Sequence, residues 1–321
     1  MTTSHQSHTP AAEEHFDLII IGTGSGNSIP SPDFDDQKIA IIEKGTFGGT
    51  CLNVGCIPTK MFVYSSEVAE IVTHAQRYGV DARLESVDWP AIRDRVFNRI
   101  DPISAGGLEY RVERCPNITV YPTHVEFDGV DDEGRYRLVT TDNVVLATEV
   151  VLAAGSRAEI PSVILDSGVR YYTNNDVMRL PELPERLIIV GSGYIAAEFA
   201  HVFGSLGTQV TILARGPRLL RKLDTELSTR FTDIASAKWD VRLERDLVSA
   251  ENLAAGGVRL TLGDGGKLVD ASLVPRRDGV EAGDEEKSGV AQASHLAGAI
   301  DDVGVRLDIA DAGDNGGIGH G

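Results

Sequence analysis

The feature that most constrains this chain is a duplication. Twice, a short apolar run ends in a glycine-rich turn: Phe16 to Ile21 leads into Gly22-Thr23-Gly24-Ser25-Gly26-Asn27, and Leu187 to Val190 into Gly191-Ser192-Gly193-Tyr194-Ile195-Ala196. Apolar runs without alternation are how strands read when both faces are buried in a parallel sheet. A strand, a glycine turn and a helix N-terminus together form a cradle for the diphosphate of a dinucleotide, because glycine lets the backbone come close and the helix end offers free N–H groups. Two copies predict an α/β chain with two Rossmann-like dinucleotide-binding domains.

The two turns are not equivalent. In the first, Gly22 and Gly24 suit the tight turn, but the third fingerprint position is Asn27, and Pro30 and Pro32 limit any helix to little more than one turn. The next strand, Ile39 to Ile42, closes on Glu43, where a carboxylate can accept from ribose hydroxyls. Alone, this degenerate pattern is a weak signal, and a plain structural turn is the alternative. The second turn is complete, with a helix expected from Tyr194 to Leu206 and a strand from Gln209 to Leu213. That strand ends on Ala214 where an NAD site keeps an acid, and Arg215, Arg218 and Arg221 follow, a set that suits the 2′-phosphate of NADPH. A solvated basic loop is the alternative.

Between the turns lies Gly48-Gly49-Thr50-Cys51-Leu52-Asn53-Val54-Gly55-Cys56-Ile57-Pro58-Thr59-Lys60. Two cysteines five positions apart can close a small disulfide ring, and a helix N-terminus stabilises thiolate. The helix expected over Thr59 to Arg77 carries Met61, Tyr64, Val68, Ile71, Val72 and Ala75 at helical spacing. A metal site would need further soft ligands, and no third cysteine or histidine is spaced to supply one. Cys115, in Arg-Cys-Pro, reads as an incidental thiol.

The Gly-Gly-Thr-Cys-x-x-x-x-Cys-x-Pro-x-Lys loop between two dinucleotide turns resembles the class I pyridine nucleotide-disulfide oxidoreductases, the glutathione reductase and dihydrolipoamide dehydrogenase-like family, from about Phe16 to Leu273. Within the family, Gly-Thr-Gly-Ser-Gly-Asn-Ser-Ile and the wording of the cysteine loop are most similar to the mycothione-reducing branch. The resemblance implies an FAD- and NADPH-dependent disulfide reductase. FAD would bind along Gly22 and Gly24, with Glu43 on its ribose and with Gly49, Thr50, Lys60 and Gly155 as further contacts. NADPH would bind at Gly191, Gly193, Tyr194, Arg215 and Arg221, with Tyr194 over the flavin face. Lys60 and Glu198 would form an ion pair beside the flavin. Cys51 and Cys56 would be the redox pair, Cys56 facing flavin and Cys51 attacking the small-molecule disulfide substrate.

The resemblance also sets domain limits: a flexible leader over residues 1–14, an FAD-binding domain over 15–160, an NADPH-binding domain over 161–274 and a tail over 275–321. Members of the family are homodimers with a C-terminal dimerisation domain, which this chain is expected to lack. Where they carry Leu-Val-Ala-Thr-Gly, the chain reads Pro275-Arg276-Arg277-Asp278-Gly279, and a one-base shift of suitable codons converts one into the other. The glycine- and acid-rich tail is therefore expected to be disordered or frameshifted, an expectation that the nucleotide sequence tests. A chain of this kind that retains nucleotide binding without turnover, or one that acts on dihydrolipoamide, is the competing expectation.

Composition excludes other classes. The net charge of −18 works against general binding to nucleic acid or anionic lipid, and three cysteines do not make a stapled secreted scaffold. The polar start, Met1 to His15, has neither the basic nor the apolar region of an export signal, so a cytoplasmic protein is expected.

Overall fold

The computed structural model describes residues 13–254, 257–263 and 268–271, all within one compact unit, Met1–Pro275. Expectations for the first twelve residues and for the tail lie outside the described residues.

The first half is built on a six-stranded sheet in the order β3-β2-β1-β6-β5-β4. Strand β1 (Glu13–Ile21) pairs in parallel with β2 (Ile39–Ile42), Ile20 opposite Ile41. The connection between them holds two 3-10 turns, Ser25–Ser28 and Pro32–Phe34, and no α-helix, as the prolines require. After β2 come α1 (Gly49–Asn53), α2 (Cys56–Thr73) and α3 (Trp89–Arg114), the last capped by Asp88, which accepts from Ala91 N at 3.0 Å. Strand β3 (Ile118–Tyr121) joins β2 in parallel; β4 (Val125–Val130), β5 (Tyr136–Thr140) and β6 (Val144–Leu152) form an antiparallel meander that returns β6 alongside β1.

The second half places the short α4 (Ser162–Leu165) before β7 (Arg186–Val190), α5 (Tyr194–Ser205), β8 (Gln209–Leu213), α6 (Thr225–Lys238) and β9 (Asp240–Arg242). Strands β7, β8 and β9 are parallel, and β10 (Leu247–Asn252), β11 (Val258–Leu262) and β12 (Leu268–Ala271) form a separate antiparallel sheet. No described helix is long and apolar enough to cross a membrane.

Two local expectations are corrected. Glu13 and Glu14, inside the stretch expected as leader, belong to β1 and pair with Val144 and Val145 of β6. Glu14 also accepts from Tyr121 Oη at 2.5 Å and Lys38 Nζ at 2.9 Å. Helix α2 begins at Cys56 rather than Thr59, and its buried face is Phe62, Ser66 and Ala69; Tyr64, Val68 and Ile71 are exposed. The apolar residues of α2 outnumber what one face can bury, and Ser66 wins an inward place because its Oγ donates to Phe62 O and Val202 O, at 3.0 and 3.1 Å. A small residue there lets α2 approach α5 closely.

The halves share a core. Phe62, Trp89, Phe97 and Ile100 from the first pack with Leu187, Phe199, Phe203 and Ile212 from the second. Trp89 stacks on Phe62 at 5.1 Å between ring centres, and its Nε1 donates to Leu180 O at 2.8 Å. Burying such rings stabilises by roughly 1.5–3 kcal/mol each, so the two dinucleotide units are held together rather than strung on a linker.

Candidate active site

At the first turn the glycines are forced by contact. Gly22 has φ +104°, and a Cβ there would meet Ala153 O at 2.2 Å. Gly49, with φ +68°, packs on Gly24, where an added Cβ would lie 2.3 Å from the Gly24 Cα. The third glycine is displaced by one position: Gly26, not residue 27, makes the close strand packing, since a Cβ would stand 2.7 Å from the Ala153 Cβ and 2.8 Å from the Ile20 Cγ2. Gly155, at φ +72°, has Thr50 Oγ1 beside it, so Gly22, Gly24, Gly49, Thr50 and Gly155 lie together on one backbone surface.

Glu43 stands at this surface with its carboxylate already engaged. Its Oε2 accepts from Thr23 N at 3.0 Å and Thr23 Oγ1 at 2.8 Å, and its Oε1 from Gly45 N at 2.8 Å. Thr23 Oγ1 in turn accepts from Gly48 N at 2.9 Å, joining turn, acid and cysteine loop. A carboxylate offers about four lone-pair sites, so capacity for a ribose hydroxyl remains. Nothing in the glycine pattern marks Thr23 or Gly26 for these roles.

The cysteines sit on either side of a tight bend. Cys51 is in α1 and Cys56 is the first residue of α2, so its sulfur shares the helix end with free N–H groups. Both are exposed free thiols. A hydrogen bond with the Cys56 thiol, reinforced by partial burial, pushes the Cys51 pKa up. The bend is held by Val54 N donating to Thr50 O at 3.0 Å and by Asn174 Nδ2, from the second half, donating to Val54 O at 3.1 Å. Asn53 is buried; its Nδ2 donates to Phe47 O at 2.9 Å and Gly49 O at 3.1 Å, while its Oδ1 is a buried acceptor with no partner among the described residues.

Lys60, one turn after Cys56, forms an ion pair with Glu198 of α5, joining α2 to the helix of the second turn. Tyr194 is the first residue of α5 and is 71 % exposed. Around Gly193 the turn is open: a Cβ there meets nothing within 4 Å. Leu220, with φ +52°, donates its N–H to Ser192 O at 2.6 Å and so fastens the arginine loop to the turn. Ala214 is buried at the strand end, Arg215 and Arg221 are exposed, and Arg218 Nε is a buried donor without a partner among the described residues. Among the described residues no three His, Cys, Asp or Glu side chains cluster as metal ligands.

The site thus brings together two glycine-rich turns, a thiol pair beside the first and an ion pair linking the two. The chain belongs to the pyridine nucleotide-disulphide oxidoreductase family, whose model matches residues 16–304. It is 52 % identical over 282 residues to mycothione reductase of Mycobacterium tuberculosis, covering 86 % of this chain and 61 % of the relative, and 33 % identical over 257 residues to glutathione reductase of Burkholderia cepacia, covering 78 % and 54 %. Among solved structures it has the fold of LpdA from Mycobacterium tuberculosis, at a TM-score of 0.65, 23 % identity and coverage of 81 % and 57 %. The flavoprotein disulfide reductase RclA from Escherichia coli matches at 0.64, 21 % identity and coverage of 85 % and 59 %. The chain thus spans about three fifths of the length of these proteins.

Proposed function

We propose that the chain is an NADPH-dependent flavoprotein disulfide reductase with mycothione, the disulfide of a low-molecular-weight thiol, as substrate. The observation that carries this reading is the facing pair Cys51 and Cys56 at the junction of α1 and α2, within the same loop whose Gly49 closes on Gly24 of the first turn. FAD, when bound, supplies a two-electron relay between nicotinamide and the dithiol.

The residues fit that group. Close backbone approach at Gly22, Gly24 and Gly49, residual acceptor capacity on Glu43 and the unpartnered Asn53 Oδ1 suit a polar dinucleotide along the first turn. The open Gly193 turn and the unpartnered Arg218 Nε suit NADPH at the second, with Arg215 and Arg221 reading its 2′-phosphate. Lys60 would hold positive charge beside the ring, and Glu198 would hold Lys60 in place.

The exchange step belongs to the cysteines. Cys51, as thiolate, attacks one sulfur of the substrate disulfide; that S–S bond breaks, the first thiol leaves with a proton, and a Cys51–substrate mixed disulfide forms. Cys56 then attacks Cys51, releasing the second thiol and closing the Cys51–Cys56 disulfide, and two electrons from NADPH restore the dithiol. Mycothione as substrate rests on the 52 % identity to its reductase. The natural setting proposed is the cytoplasm.

Purified protein tests the reading. A yellow protein that develops a long-wavelength charge-transfer band on NADPH addition supports it, and a colourless one overturns it. Cys56→Ser is expected to abolish the band while Cys51→Ser retains it; the opposite result reverses the two roles. Comparing NADPH oxidation with mycothione, glutathione disulfide and lipoamide assigns the substrate.

A further inference from the structure

The first dinucleotide turn lacks the α-helix that normally holds such a turn in shape. Its 3-10 segment Ser25–Ser28 ends where Ile29 N donates to Gly26 O at 3.2 Å. The next donor should come from residue 30 to Asn27 O, but residue 30 is Pro30 and has no N–H. The Asn27 carbonyl is thereby left without that backbone donor.

Arg111, in the last turn of α3, fills the gap. Its Nη2 donates to Asn27 O at 2.6 Å and its Nε to Asn27 Oδ1 at 2.9 Å, while Nη1 lies 3.7 Å from Cys115 Sγ. Among the described residues no carboxylate forms an ion pair with Arg111. One side chain from a distant helix therefore replaces a missing backbone donor and locks the orientation of the Asn27 side chain. A cation at the carbonyl end of a helical turn is also favoured by the dipole of that turn.

We infer that Arg111 is the positioning residue of the first dinucleotide turn, holding Ser25–Ile29 in the form that receives the diphosphate of FAD. This rests on the flavoprotein reading for its ligand but not for its geometry. It also gives Asn27 a use: the residue that breaks the glycine fingerprint is the one that Arg111 grips by both side chain and carbonyl.

The test uses the full chain stripped of flavin, titrated with FAD by flavin fluorescence and, separately, with NADPH. Because two charge-assisted hydrogen bonds are removed, Arg111→Met is expected to weaken FAD binding about tenfold or more. Arg111→Lys, which keeps the charge but lacks the fork, should fall between it and wild type. Asn27→Ala loses one bond of the two and should cost about threefold. Cys115→Ala should bind FAD as wild type does. NADPH affinity should stay unchanged in all of them, a separation that general destabilisation would not give. Independently of any ligand, amide exchange at Asn27 and Ile29 should speed up in Arg111→Met and partly recover in Arg111→Lys.

Equal losses of FAD and NADPH affinity, or unchanged FAD binding in Arg111→Met, overturn the inference. If wild type binds no FAD, the flavoprotein reading falls and the exchange rates alone decide the role of Arg111: unchanged rates overturn it, and faster rates sustain it. Should Arg111→Met fail to fold, Arg111→Lys and Asn27→Ala carry the same comparison.

Discussion

The two glycine turns are built from one plan and finished in opposite ways. The first is tightly packed against its neighbours: Gly22 and Gly26 lie against Ala153, Gly24 lies against Gly49, and Glu43 is bonded to Thr23 and Gly45. The second is open at Gly193 and carries a genuine α-helix, α5, and an exposed Tyr194. The duplication therefore supplied a shape, and the packing around each copy finished it differently.

The sharpest way to break this comparison is to add the same methyl group to both turns. Gly22→Ala places a Cβ onto a backbone carbonyl at positive φ and is expected to cost about 3 kcal/mol or more, whereas Gly193→Ala should cost within about 1 kcal/mol. Denaturant midpoints measured on both variants check this, and equal costs would end the contrast.

Next in size is Thr23→Val, which removes the hydroxyl that bonds both Glu43 and Gly48 N in a buried position. A loss of about 2 kcal/mol is expected, together with weaker FAD binding. Ser192→Ala at the matching place of the second turn should be nearly silent by the same two measurements.

A smaller effect is expected at the arginine loop. Arg215→Ala and Arg221→Ala should each raise the KM for NADPH about tenfold and leave that for NADH unchanged, as loss of a charge-assisted bond to one phosphate requires. If both KM values rise together, the loop supports the turn instead of reading the phosphate.

The smallest effect lies where the halves meet. Burial raises the Glu70 carboxyl, but hydrogen bonds from Lys238 and Ser205, at 2.5 and 2.7 Å, outweigh it and hold its pKa below the ordinary 4.5. A lowered folded-state pKa contributes stability above the ordinary value and loses it as pH falls through the folded one. Unfolding measured from about pH 6 down to about pH 3 should show this loss, under about 1 kcal/mol for so accessible a pair. In Glu70→Gln this part of the pH dependence should vanish.

Much of this was legible beforehand because local rules sufficed. Pro30 and Pro32 dictate a turn without a helix, and the 3-10 segment Ser25–Ser28 follows; the apolar runs at Ile39–Ile42 and Gln209–Leu213 become strands at those limits. The apolar face of α2 was not legible, because its residues satisfy helical periodicity in more than one direction and only packing against α3 and α5 decides which face is covered. The domain limit near residue 160 marks no separation in packing, since the aromatic core crosses it. The third glycine was missed for a related reason: whether residue 26 or 27 meets Ala153 depends on the path of β6, more than 120 residues away.

The sequence by itself determined the family, the two dinucleotide turns and the cysteine pair, since each is a short pattern whose chemistry lies in adjacent residues. Only the tertiary structure decided which groups hold those patterns in working form. Thr23 grips Glu43, Leu220 ties the arginine loop to Ser192, and Arg111 replaces the donor that Pro30 lacks. All but the Leu220 tether are side-chain contacts, and most join residues far apart in the chain. Contacts of that kind leave no local pattern, because the energy that selects them comes from burying and pairing polar groups that meet only once the chain has folded.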